Sequence, residues 1–157
     1  MSKFQLKNFF KAAYDPMLVF LQFFIISLHF FQWEFLPQKQ IIQASPFSHL
    51  LGILIFIFAF IIMLIAIKDL GRNLSPFPRP INNSNLVTTG IYRFTRHPMY
   101  YSLIFISIGV FIIKLSIYNL FLTISLALII KFKIALEEKY LMNKFKNYLL
   151  YKNEVKV

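Results

Sequence analysis

The sequence predicts an all-α protein of the membrane, a helical bundle of about four crossing segments with a C-terminal helical hairpin and a basic amphipathic helix after it. Three observations predict this. Of the 157 residues 58% are hydrophobic, 20 of them Phe, and the mean hydropathy is +0.63, more apolar surface than a water-soluble domain of this size can bury. Apolar runs of crossing length recur, each on the order of 20 residues or ~30 Å of helix. The 17 Lys and Arg outnumber the 6 Asp and Glu, for a formal charge of +11, and nearly all fall on one side of the predicted spans, as in loops that face the cytoplasm and anionic lipid. The charge is therefore assigned to membrane lipids as partners, with no nucleic acid. Having no cysteine, the chain lacks disulfides, a thiolate nucleophile and Cys-ligated metal.

Residues 1–16 set Lys3, Lys7 and Lys11 on one i, i+4 row with Phe4, Leu6, Phe9 and Phe10 between them. That pattern fits either a short amphipathic helix lying on the membrane or a frayed basic terminus. The first span is expected at 17–36, too long for a signal-peptide core. His29, Trp33 and Glu34 fall in its second half. Trp33 suits the interface, and His29 is expected to pack or bond locally. A short polar loop, 37–46, leads to a second span at 47–67, with His49 interfacial at its start. No partner histidine or carboxylate accompanies His49 at ligand spacing, and no metal site is predicted.

From 68 to 98 the composition switches to Gly71, Pro76, Pro78 and Pro80, then Asn82, Asn83, Ser84 and Asn85, all turn formers. This loop carries Lys68, Arg72, Arg79, Arg93 and Arg96 against the single acid Asp69, which places it in the cytoplasm. The apolar stretch 99–130 is too long for one crossing. Its polar interruption, Lys114, Ser116, Tyr118 and Asn119, predicts a hairpin with arms at 99–113 and 117–132. The tail, 131–151, reads as a basic amphipathic helix with Leu141, Phe145, Tyr148 and Leu149 on one stripe. Fifteen Lys and Arg then lie inside, against Lys39 and Lys114 outside, so the chain is expected to be one multi-pass domain, 1–157, with both termini cytoplasmic.

The densest polar chemistry is the run GIYRFTRHPMYYS at 90–102. Pro98 suits the first position of a helix, and it biases His97 toward an extended backbone like that of an N-cap residue. The helix beginning there would direct unpaired N–H groups and a positive dipole end toward His97, Arg96 and Arg93, a setting that favours a negatively charged group. After the hairpin the adjacent acids Glu137 and Glu138 return to the same side. The two clusters together offer arginine, histidine, tyrosine, a helix N-terminus and two carboxylates. That inventory suits a zwitterion with a carboxylate, an ammonium, ribose hydroxyls and a flat base.

These residues resemble the membrane methyltransferase family that includes the isoprenylcysteine carboxyl methyltransferases and the phospholipid N-methyltransferases. The resemblance covers about half of the chain: Leu70-Gly71, Leu86-Val87, Gly90, the run at 90–101, Glu137-Glu138, Leu141, Phe145, Tyr148 and Tyr151. It implies methyl transfer from S-adenosylmethionine to a lipophilic acceptor, an isoprenylcysteine-type carboxylate or a phospholipid amine, at the cytoplasmic membrane face. By the same resemblance His97, Glu137 and Glu138 contact the cofactor, Leu86, Val87 and Gly90 line the adenosine by backbone, and Tyr92 and Tyr100 pack nearby. Arg93 and Arg96 favour the cofactor carboxylate or an anionic headgroup, and Arg96, His97 and Glu137 are the expected catalytic residues.

The chain departs from the family pattern at Ser102, where many members have Gly, at Lys146, where Gly often follows the Phe, and after Val155, where a basic-Pro ending is missing. A membrane sterol or steroid reductase using NADPH has a similar architecture with an Arg-His-Pro-Asn-Tyr motif, but Met99 replaces that Asn. A non-enzymatic membrane protein that kept the fold is the other alternative.

Overall fold

The structure, a computed structural model, describes residues 3–30, 40–41 and 43–155, with the side chains of 15–29 in the first helix. Five α-helices follow in order: α1 Lys3–Phe30, α2 Pro46–Leu70, α3 Pro98–Lys114, α4 Ile117–Lys144 and α5 Tyr148–Glu154. Two 3-10 turns, Gly71–Asn73 and Gly90–Arg93, punctuate the segment between α2 and α3. Among the described residues the only β-type pairing is one isolated bridge, Gln40 to Ser116. The fold is thus all-α, as expected for a helical membrane bundle. α2 and α4 are long and apolar enough to cross a membrane, while residues 15–29 of α1 and the whole of α3 are shorter apolar helices.

Local chemistry sets the ends of these helices. Ser45 caps α2 by accepting from the Ser48 N–H at 3.1 Å while its own N–H donates to Ser48 Oγ at 3.0 Å, a reciprocal capping box, and Pro46 starts the helix where its missing N–H costs nothing. The hairpin reverses at Leu115, whose left-handed backbone (φ 45°, ψ 40°) ends α3. Ser116 then caps α4 by accepting from the Asn119 N–H. Ile41 donates its N–H to the Leu115 carbonyl at 2.7 Å, so the short connection before α2 and the hairpin turn meet at one end of the bundle.

Two elements differ from the sequence expectation. The first helix does not separate into a surface segment and a span: α1 runs unbroken through Pro16. Asp15 beside that proline is buried, accepting from the Tyr140 hydroxyl at 3.3 Å and pairing with Arg79 at 3.4 Å, contacts that hold the turn in place. The expected end of the span at 36, with Trp33 and Glu34, lies outside the described residues. The tail, expected as a helix over 131–151, is instead the second half of α4 followed by a break at 145–147 and the short α5. No proline or glycine interrupts 117–144, so α4 simply continues past its apolar stretch.

The core is built by α1, α3 and α4 around Ile25, Leu122, Leu126 and Ile130. The opposite stripe of α4, Phe121, Ile124, Leu128 and Phe132, is exposed, as a face toward lipid would be. A polar chain crosses the interior: Ser107 bonds His29 Nε2 at 2.7 Å and Thr123 Oγ1 at 2.8 Å, His29 Nδ1 lies 3.1 Å from the Ile25 carbonyl, and Lys114 donates to the His29 carbonyl at 3.0 Å. With Nδ1–H donating, His29 Nε2 accepts from the Ser107 hydroxyl. His29 thus bonds within its own helix and also pins α1 to α3. His49 stays exposed, with Nδ1 3.0 Å from the Ser45 carbonyl.

α2 meets α3 through small residues. Gly52, Ala59 and Ala66 are its buried positions, seven residues apart, so they share one face and admit a close helix approach. A Cβ on Gly109 would lie 2.9 Å from the Gly52 carbonyl oxygen and 3.1 Å from the Phe56 nitrogen. Because those neighbours are backbone, Gly109→Ala should force the helices apart and destabilise the protein by about 1–3 kcal/mol. Phe121→Ala on the exposed face should change stability by less than about 0.5 kcal/mol. Thermal unfolding of the two variants in one detergent measures the contrast, and equal melting temperatures would contradict the Gly52–Gly109 contact.

Candidate functional site

The polar end of the bundle is shaped by the segment from 68 to 98. Gly90 has φ +61°, and a Cβ there would fall 2.0 Å from Asp69 Oδ2. Glycine is required at this position both by the left-handed backbone and by the packed carboxylate. Asp69 in turn accepts the Ile91 N–H at 2.8 Å, which seats the Gly90–Arg93 turn on the end of α2. His97 precedes α3 with φ −132° and ψ 54°, and its side chain makes no capping bond. Its carbonyl accepts from the N–H groups of Tyr100 and Tyr101 at 3.1 and 3.2 Å.

The turn at 94–97 packs directly on the second half of α4. Arg96 donates to Glu138 Oε1 from Nε at 3.0 Å and from Nη2 at 2.8 Å, and its Nη1 donates to the carbonyls of Lys152 and Val155. Lys152 donates to the other carboxylate oxygen of Glu138 at 2.6 Å. A guanidinium has five N–H donors, so these four bonds leave Arg96 at most one for a ligand. Burial works against ionised Glu138, but the bonds from Lys152 and Arg96 and their positive charges prevail and hold its carboxyl below the usual glutamate range.

His97 is 4% exposed and its ring stacks on Tyr100 with centroids 5.7 Å apart. Burial lowers its pKa to about 4, although Glu138 pulls the other way. The imidazole is therefore neutral at pH 7, and the 3.5 Å approach of Nε2 to Glu138 Oε1 is not an ion pair. That Nε2 is a buried polar atom without a hydrogen-bond partner. Tyr100 donates to Glu137 Oε2 at 2.6 Å. Glu137 stands beyond the apolar span of α4, and its low-polarity surroundings push its carboxyl up to about 7, against the Tyr100 bond and the charge of Lys133.

A narrow cleft opens between this cluster and the loop. Leu86, Val87, Tyr92, Arg96, Glu137 and Tyr148 are among the residues lining it, and its free interior is about 80 Å³, a slot smaller than the usual small-molecule pocket. Lys144 closes one side by donating to the carbonyls of Ile81 and Asn82 and to Ser84 Oγ. The Tyr151 hydroxyl closes another by donating to the Tyr92 carbonyl at 2.6 Å.

Of the residues expected at the site, Leu86, Val87, Tyr92, Arg96 and Glu137 reach the cleft wall. His97, Tyr100 and Glu138 form the layer behind it, and Gly90 lies outside, occupied with Asp69. Arg93 is exposed and bonds nothing in the cluster. Ser102, the departure from the family pattern, folds its hydroxyl back to donate to the Pro98 carbonyl at 2.9 Å. Sequence reasoning gave no site role to Tyr148, although it helps carry the resemblance; it is 1% exposed, its hydroxyl without a partner among the described residues. It gave none to Lys133 either. Both had been placed on an amphipathic tail, although Lys133 continues the buried stripe Leu122, Leu126, Ile130, a spacing visible in the sequence.

The structure is thus an apolar helical bundle with carboxylates, a neutral histidine and a narrow cleft gathered at its polar end. The family model for phospholipid methyltransferases matches residues 47–148, well over half of the chain, and the protein belongs to that family. It is accordingly a membrane methyltransferase. Searches among curated proteins and among solved structures return no match.

Arg96 and Glu138 are both nearly buried, their side chains 7% and 11% exposed, so breaking the pair strands a charge. Arg96→Met should destabilise the protein by about 3–5 kcal/mol and expose residues 145–155 to proteolysis. Lys152→Met, at a more exposed position, should cost less than about 1 kcal/mol. Because the Glu138 pKa is lowered on folding, the pair's contribution should be complete above about pH 4.3, the ordinary glutamate value, and fade as pH falls through the lower folded value. Limited proteolysis of both variants across this range measures it, and an α5 as protected in Arg96→Met as in the parent would contradict the clamp.

Proposed function

We propose that the chain transfers a methyl group from S-adenosylmethionine to a lipophilic acceptor, an isoprenylcysteine-type carboxylate or a phospholipid amine, at the cytoplasmic membrane face. The observation that carries this reading is that two spaces of different character flank one segment, 91–98. On one side is the cleft, with charged and apolar residues mixed in its wall. On the other is an almost wholly apolar groove between α2 and α3, lined by Leu54, Phe58, Phe94, Pro98, Tyr101 and Phe105 among others, with about 680 Å³ of free space. A reaction between a water-soluble cation and a lipid needs both kinds of compartment within reach of each other.

The residues present fit such a cofactor. Glu137 offers a carboxylate to a sulfonium or ammonium, while His97 Nε2 and the Tyr148 hydroxyl find no partner among the described residues and could take one from a ligand. Leu86 and Val87 give an apolar wall for a flat base. When bound, the cofactor supplies an electrophilic methyl carbon that an acceptor lone pair displaces from sulfur. No covalent protein nucleophile is required, so the chain's own residues bind, align and exclude water. Arg96 acts as a positioning residue through Glu138, and a protonated acceptor would hand its proton to neutral His97 or ionised Glu137. The sidedness of Lys and Arg, fifteen against two, supports four spans with both termini and the 68–98 loop in the cytoplasm.

Purified protein incubated with methyl-labelled S-adenosylmethionine and native lipid extract should label a lipid. Binding of NADPH in place of S-adenosylmethionine would overturn the reading in favour of a reductase. His97→Ala should weaken S-adenosylhomocysteine binding roughly ten- to a hundred-fold, about 1.5–3 kcal/mol for a lost bond to a charged group. His49→Ala should change it less than about threefold. Calorimetric titration of folded variants decides, and equal affinities would remove His97 from the site. Reporter fusions at the C-terminus and within 82–85 should report the same side of the membrane.

A further inference from the structure

Lys133 is 1% exposed and has no ion-pair partner among the described residues, an unusual place for an ammonium. It donates to Gln22 Oε1 of α1 and to the Pro76 carbonyl at 3.1 Å, and it sits 5.2 Å from the centroid of the Tyr100 ring. The hydroxyl of that ring donates to Glu137 Oε2 at 2.6 Å. Glu137 follows Lys133 at the i+4 position, so both project from one face of α4. The other acids near this layer are already engaged: Glu138 by Arg96 and Lys152, Asp15 by Arg79 and Tyr140, and Asp69 by the Ile91 N–H. Among the acids of the described residues near this layer, Glu137 is the one left to balance the buried ammonium. A cation on the face of a phenol also strengthens the phenol as a donor, so Lys133 acts on Glu137 both directly and through Tyr100.

We propose that Lys133, anchored by Gln22 of α1, is a positioning residue that fixes the Tyr100 ring and keeps Glu137 a carboxylate facing the cleft. The inference rests on the reading of Glu137 as the group that meets a cationic cofactor. It also draws α1, which lies outside the matched residues 47–148, into the active-site machinery, since Gln22 is the side chain that seats Lys133.

The groups that face Glu137 are Tyr100 on α3, Lys133 and Glu138 on α4, Tyr92 in the 3-10 turn and Tyr148 on α5, with Arg96 and Arg79 on the same cleft wall. The charge of Lys133 lowers the Glu137 pKa, so removing it should move protonation to higher pH from its starting point of about 7. Difference infrared spectroscopy of the full-length, ligand-free protein across pH reads this directly, through the protonated-carboxyl band that Glu137→Gln abolishes. In Lys133→Met the midpoint should rise by about one unit or more, and Lys133→Arg should restore it. Gln22→Leu should shift it the same way by less. S-adenosylmethionine affinity at pH 7 should fall roughly fivefold in Lys133→Met and recover as pH rises. A folded Lys133→Met with the parent's midpoint would overturn the proposal. If Lys133→Met does not fold, Gln22→Leu decides by the same midpoint. A parent protein that binds no S-adenosylmethionine would remove the cofactor reading, while the infrared shifts alone would still uphold the coupling of Lys133 to Glu137.

Discussion

At the polar end of the bundle, the buried pair of Arg96 and Glu138 constrains everything around it. Two charges withdrawn from water are tolerated only when their geometry is good and their remaining bonds are filled, and here two N–H groups share one carboxylate oxygen while Lys152 holds the other. Arg96 stands immediately before His97 and Pro98, so holding its guanidinium holds the turn from which α3 starts. Glu138 stands immediately after Glu137, so holding its carboxylate sets the rotation of α4 that brings Glu137 to Tyr100. The bonds from Arg96 to the carbonyls of Lys152 and Val155 then draw α5 over the cluster. One ion pair thereby locates the start of α3, the far half of α4 and α5.

The apolar body supplies the rigidity against which that cluster is held. In a bilayer the hydrophobic effect does not distinguish one apolar helix from the lipid around it, so association depends on close packing and interior hydrogen bonds. The chain uses both. Gly52 and Gly109 let α2 and α3 touch backbone to backbone, and the chain from His29 through Ser107 to Thr123 links α1, α3 and α4. The connections at the far end, where Ile41 pairs with the hairpin turn, keep the helix ends in step. The variable chemistry is left to the opposite end, where the long α4 projects beyond its apolar stretch.

Membership in the phospholipid methyltransferase family gives this arrangement a purpose. The methyl transfer to a lipid that we propose would have to bring a charged, water-soluble donor and a bilayer-resident acceptor to one point. The 91–98 segment, with Tyr92 and Arg96 toward the polar cleft and Phe94 and Pro98 toward the apolar groove, is a thin partition between two such environments. Neutral His97 and high-pKa Glu137 are the consequence of burying polar groups next to lipid. Lys133 is the countercharge that the same burial demands.

Much of this was legible in the sequence. Uninterrupted apolar runs forced membrane helices, the break at Lys114–Asn119 marked the hairpin, and the RHP run with the Glu pair identified both the polar end and the family, because hydrophobic length, turn chemistry and motif spacing are local properties. Rotation and register of the packed helices are not local. They made Arg96 a clamp where a ligand-binding arginine had been expected, gave Gly90 to Asp69, carried α4 unbroken to Lys144, and turned Lys133 from a tail lysine into a buried partner of Tyr100. Each of these depends on which side chain a distant helix presents at the same height, and only the tertiary structure decides that.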